Sequence, residues 1–157
     1  MITHHQNRAS RFLLAGLLLM LLAGLIFRPV RADDEADLKA EAVTAMLTWL
    51  AEIDQGQYAP SWKEASATFQ RTVTSDKWIA ALTKGRTPMG ECTERKLASA
   101  LHQNEIPSSA GPLTGDFVVA QFNSSFENLA YAVETVSFEK TADGTWKACG
   151  YYVKPRS

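Results

Sequence analysis

The sequence predicts an α+β domain: helices packed on a four-stranded antiparallel meander sheet. Three observations predict it. Apolar residues recur every three to four positions from Leu38 to Leu82, the period of a helix with one buried stripe. After Gly90 the pattern shifts to runs dense in Val, Phe, Tyr and Thr, the composition of strands. Between those runs lie turn residues, most clearly Asp143-Gly144, a strong hairpin signal. Helices first and strands second is the order of an α+β fold.

The elements follow in order. Asp33, Asp34, Glu35 and Asp37 stand where a first helical turn favours acids. Val43, Met46, Leu47, Leu50 and Ile53 then form one helical face, with Trp49 at its border, and Gly56 ends the helix as a left-handed cap. Tyr58, Trp62, Ala65 or Ser66, and Phe69 predict a second short helix, with Pro60 tolerated in its first turn. Thr74-Ser75-Asp76 supplies a cap for a third helix that buries Trp78, Ile79 and Leu82 and ends by Gly85 and Pro88. Glu91–Glu105 reads as a weak strand, and Ile106–Gly115 (IPSSAGPLTG) as a loop. Asp116–Phe126, Leu129–Lys140 and Thr145–Lys154 are the better strands. If Phe126 faces Leu129, one sheet face collects Val118, Ala120, Phe122, Tyr131, Val133, Trp146, Ala148 and Tyr152. The other collects Phe117, Val119, Gln121, Glu134, Val136, Phe138, Tyr151 and Val153. The first set is expected under the helices; a one-residue slip would exchange the two sets.

Residues 1–32 differ in kind. A polar start carries Arg8 and Arg11, Phe12–Phe27 carries no charge, and Val30-Arg31-Ala32 offers small or short residues at the positions a signal peptidase reads. This is the pattern of a secretory signal cleaved after Ala32, leaving 33–157 as a single periplasmic or secreted domain. The alternative is an uncleaved inner-membrane anchor, although the run falls short of the roughly 20 apolar residues a span needs. Leu25 stands where a lipoprotein signal needs its cysteine, so lipid attachment is excluded.

Removing 1–32 takes four of the sixteen basic residues (Arg8, Arg11, Arg28, Arg31) and none of the seventeen acidic ones, so the domain keeps twelve against seventeen, a net charge of −5. Such a surface has no electrostatic reason to bind nucleic acid or an anionic membrane. His4 and His5 leave as well, and His102, read as a surface residue, becomes the one remaining imidazole. No metal site and no cofactor is expected, since a closed zinc site wants four ligands. The phosphate-binding glycine loops, the GxSxG elbow and the HExxH helix are absent. Cys92 and Cys149 are a candidate disulfide in an exported chain. Against the bond, the first and last strands of a meander lie about 14 Å apart, while bridged Cα atoms lie within about 7 Å; a Cys92 that precedes its strand, in a loop crossing the sheet, would remove that objection, so both readings stand.

Two sets of residues carry the functional readings. Trp49, Tyr58, Trp62, Trp78 and Tyr131 are aromatic candidates for a ligand pocket, with ordinary core packing as the alternative. Glu134 is a carboxylate in an otherwise apolar strand, with Gln121 expected opposite and Tyr151 on the same face. In a dry pocket it would serve as a general acid or base; on a solvated face it would simply bond Gln121.

The run WLAEIDQGQYAPSW, the Ser75-x-x-Trp78 helix start, GDFVVAQFNSSF, the AVET of Ala132–Thr135 and DGTWKACGYY together resemble the bacterial family called domain of unknown function 4019, from about Ala40 to Lys154. The resemblance implies a cystatin-like or nuclear-transport-factor-2-like arrangement, helices wrapped on a curved sheet. It lends no catalytic residue, and the two cysteines are not part of its pattern. Cone-shaped folds of that kind often host proton-moving enzymes acting on small apolar substrates. Three functions therefore stand: a binding or interaction module for a small apolar ligand or a partner protein; a cofactor-free isomerase or dehydratase with Glu134 as base; and an envelope protein that self-associates, for instance as a homodimer.

Overall fold

The computed structural model describes residues 32–108 and 111–156. The secretory-signal reading falls on Met1–Arg31, outside the described residues. Among those described, no helix is long and apolar enough to cross a membrane.

Helix α1 (Ala32–Asp54) opens on Asp33, Asp34 and Glu35. It buries Ala42, Met46, Trp49, Leu50 and Ile53, spacings of three and four. The buried stripe is rotated from the expected one: Trp49 turns inward and Leu47 is 44 % exposed. Gly56, at φ 73°, ends the helix as expected. Gly56 N donates to Ile53 O at 3.0 Å and Gln57 N to Glu52 O at 2.8 Å, the paired bonds of a Schellman cap.

The second predicted helix is two helices, α2 (Tyr58–Glu64) and α3 (Ala67–Thr72). Ser66 breaks it. Its backbone is extended and its hydroxyl accepts from Phe69 N, capping α3, while its own N–H leaves the helix for Ala148 O on the last strand, at 2.9 Å. Gln70 Nε2 donates to the carbonyls of Trp62, Lys63 and Ala65, closing α2. The aromatic period runs through the break, so periodicity alone does not reveal it. Helix α4 (Ser75–Gly85) is capped by Thr74 and buries Trp78 and Leu82, and a 3-10 turn, Thr87–Met89, follows.

Strands β1 (Cys92–Ile106), β2 (Leu113–Phe126), β3 (Leu129–Lys140) and β4 (Trp146–Pro155) form one open sheet in the order β1-β2-β3-β4, all antiparallel. Strand β1 runs fifteen residues, far from weak, and β2 begins inside the expected loop. Phe126 does face Leu129, but an irregularity between Ser124 and Phe126 slides β3 by one residue, and a second between Ser137 and Phe138 slides β4. Each slip moves a strand's side chains to the other face. The helix-covered face therefore joins Val118, Ala120 and Phe122 to Val136, Phe138, Ala148 and Tyr151, mixing the two expected sets. Tyr131 and Tyr152, expected beneath the helices, are 72 % and 64 % exposed.

Cys92 and Cys149 are free thiols on the two edge strands, which lie about three strand steps or 14 Å apart. Burial, with Glu139 nearby, pushes the Cys149 thiol up to about 12. The native chain should therefore resist alkylation at Cys149 near neutral pH, where the reactive thiolate is scarce. Unfolding should expose two thiols per chain, counted by a colorimetric thiol assay with and without denaturant.

Candidate functional site

Six side chains from six parts of the chain meet at one end of the core. Asp54 comes from the last turn of α1, Arg86 from the end of α4, Arg95 from β1, Ser124 from β2, Glu134 from β3 and Tyr151 from β4. Arg95 is the hub. Its Nε and Nη2 donate to Glu134 Oε2 and Oε1 at 2.7 and 3.2 Å. Its Nη1 and Nη2 donate to Asp54 Oδ2 and Oδ1 at 2.7 and 3.0 Å. Glu134 also accepts from Ser124 Oγ at 2.5 Å and Tyr151 OH at 2.8 Å. Arg86 Nη2 donates to Asp54 Oδ1 at 2.8 Å and Nη1 to Gly90 O at 2.6 Å, and its guanidinium lies 4.2 Å over the Phe126 ring. Two cations meet two carboxylates, so the cluster is balanced in charge.

The register slip changes Glu134's surroundings. It sits opposite Phe122, not Gln121, which faces Thr135, and it points under the helices with none of its surface exposed. The expected Tyr151 contact is present. Each carboxylate oxygen accepts two hydrogen bonds, which occupies the acceptor positions of the group. A general base must aim an open lone pair at its substrate, and Glu134 has none to aim.

Burial alone would push Asp54 up, but its hydrogen bonds to Arg95 and Arg86, with both positive charges, outweigh burial and hold it below the ordinary carboxylate range. A carboxyl depressed in the folded state contributes stability above its unfolded value and loses it as pH falls through the folded one. Urea midpoints should therefore fall as the pH drops below about 4, and Asp54→Asn should flatten that part of the curve. Burial opposes ionisation of Arg95 too, yet Asp54 and Glu134 hold its pKa above the ordinary value. Burial, then the Glu134 charge, pushes the Tyr151 phenol far up.

Among the described residues, the five aromatic candidates do not share one cleft. Trp49 stacks on Trp78 at 5.8 Å, and Phe69 and Tyr151 meet Trp78 edge-on at 5.1 and 6.1 Å. The two indole N–H groups end on Ser61, Trp49 Nε1 on its carbonyl and Trp78 Nε1 on its hydroxyl. Trp62 Nε1 donates to Val73 O at 2.7 Å. These indoles are core and its rim, whereas Tyr131 lies on the sheet's far side.

Tyr58 alone of the five lines a cleft of about 310 Å³, together with Asp54, Arg86, Thr87, Glu91 and Glu127 among others. Its walls are tied. Glu91 N donates to Glu127 Oε2, and Glu127 N to Glu91 O, both at 3.0 Å. Asn128 bonds Met89 O and Pro88 O, and the Tyr58 and Thr87 hydroxyls meet at 2.8 Å. Gly90 permits this closeness: at φ 79°, a Cβ there would stand 2.6 Å from Glu127 Oε2 and 2.9 Å from its Cβ. His102 pairs with Asp116 at 3.1 Å, far from the cluster on β1. Among the described residues no group of three or more His, Cys, Asp or Glu is placed to hold a metal.

Sequence reasoning found Glu134 and Tyr151 but missed Asp54, Arg86, Arg95 and Ser124. One signal was available. Asp54 is an acid in the last turn of a helix, where the dipole disfavours negative charge; such a residue calls for a cation from elsewhere.

Helices on one face of an open antiparallel sheet, a buried ion cluster balanced in charge and a small cleft beside it define a small α+β domain. The chain belongs to the family described as protein of unknown function, DUF4019, which it matches over residues 45–151, a span that contains all six cluster residues. No curated protein and no solved structure matches it.

Proposed function

We propose that this chain is an exported binding or interaction module, and that the cleft over Asp54 and Arg86 is its binding locus. One observation carries the reading: the carboxylate suited to chemistry and the concave surface do not coincide. Glu134 is sealed and saturated, and the lining of the cleft does not include it. The cleft lining mixes apolar surface with the charged and hydroxyl groups of Asp54, Tyr58, Arg86, Thr87, Glu91 and Glu127, which suits a ligand or partner segment carrying polar groups of its own. Export is supported by the Arg8/Arg11 start, the uncharged Phe12–Phe27 run and the Val30-Arg31-Ala32 site. Intact-mass measurement of the protein from producing cells should find the chain beginning at Asp33; a full-length mass would contradict export with cleavage. Amide spectra recorded against a ligand library should shift at Gly56, Gly90 and Glu91. Turnover of any compound that a folded Glu134→Gln chain loses would instead establish the enzyme.

A second reading, self-association, is favoured by Leu101, Tyr131 and Tyr152, which are 57–72 % exposed on the uncovered side of the sheet. Apolar surface of this kind marks contact sites when it is contiguous. Sedimentation over roughly a hundredfold range of concentration separates a monomer from a concentration-dependent dimer.

A further inference from the structure

We propose that the cleft takes an ammonium group with a carbonyl or carboxylate acceptor beside it, the chemistry shared by a free α-amino acid and the first residue of a peptide. This rests on the cleft's being the binding locus, and two features of its lining choose the ligand class. The first is the rim. Glu91 and Glu127 are exposed carboxylates on one wall. Of their four carboxylate oxygens only Glu127 Oε2 accepts a hydrogen bond among the described residues, from Glu91's backbone N–H, so the pair keeps acceptors for a cation. Asp54 offers less, because Arg86 and Arg95 already take both its oxygens.

The second feature is Arg86. It lines the same cleft and is only 3 % exposed. Its two terminal nitrogens are spent on Gly90 O and Asp54, while its Nε has no partner among the described residues. A buried cationic N–H left empty is costly, and only an acceptor satisfies it. The rim asks for a donor and Arg86 Nε for an acceptor, and a volume of about 310 Å³ has room for a ligand the size of a dipeptide. An ammonium with a carbonyl two bonds away meets both demands. Nε is shielded from solvent, so the side chains around it must shift to admit the acceptor.

The test is a titration of the isotope-labelled full domain with glycylglycine, followed by amide signals and by the Arg86 Nε–H signal. Gly56, Gly90 and Glu91 amides should move together with Arg86 Nε–H. Ethylamine and acetate, each carrying half of the chemistry, should bind about tenfold more weakly or worse. Glycine in place of glycylglycine separates the sources: equal affinity indicates a free amino acid, weaker affinity a peptide terminus. Glu91→Gln, an exposed change, should weaken glycylglycine about tenfold while the spectrum stays folded. N-acetylglycinamide binding as well as glycylglycine, or an unmoved Arg86 Nε–H at saturation, would overturn the ligand class and leave the cleft standing as a binding locus. If neither glycylglycine nor any library compound perturbs the cleft, both proposals fail.

Discussion

Arg95→Met should destabilise the domain by about 3–5 kcal/mol, the cost of leaving a buried charge without its partner. Among the described residues the arginine is the one group that bonds both carboxylates. Without it Glu134 keeps only Ser124 and Tyr151 as donors, and neither carries a positive charge. Methionine is close in length and fills the space, so packing loss stays small and the measured effect reports the charge. A domain of this size has a total stability of about 5–15 kcal/mol, so the variant would lose a large share of it. Urea unfolding followed by tryptophan fluorescence measures it, and a loss under about 1 kcal/mol would place the pair among surface bridges.

Trp78→Ala should cost a similar amount, about 3–5 kcal/mol, for a different reason. Trp78 is 5 % exposed and lies between Trp49, Phe69 and Tyr151. Truncation leaves a large cavity at the junction of α1, α3, α4 and β4, and Ser61 Oγ loses the indole donor. Neighbouring rings cannot collapse into the space, because the indole of Trp49 is tied to Ser61 O and the phenol of Tyr151 to Glu134. Trp62→Phe should cost much less, since that side chain is only half-buried at the rim. Equal losses in the two variants would mean that the indoles contribute as a surface layer and not as a core.

Much of the fold was legible because local chemistry decides it. The existence of α1, its Gly56 cap, the α4 cap at Thr74 and the Asp143-Gly144 hairpin each depend on residues a few positions apart. What escaped depends on distant partners. Ser66 breaks a helix because its N–H finds Ala148, a residue on the far edge of the sheet. The slips at Ser124 and Ser137 follow no turn residue, and each reverses which side chains face the helices. That reversal turned Glu134 from a possible base on the far face into a clasp under the roof. Its own strand marked it as unusual, but Arg95 and Asp54 lie 39 and 41 positions from the groups they bond, and no local pattern joins them. The cleft was equally hidden, since α1, α2, the 3-10 turn and the β2–β3 turn each supply only part of it.

Glu134 and Arg95 hold the layers together, and both oxygens of Glu134 are occupied in doing so. A double-mutant cycle tests it most directly, with urea unfolding of Arg95→Met, Glu134→Leu and the pair together. Each single change should be costly, and the double variant should recover to within about 2 kcal/mol of the parent, because two well-packed apolar groups replace a desolvated ion pair. Losses that simply add, with no coupling between the two positions, would contradict the account.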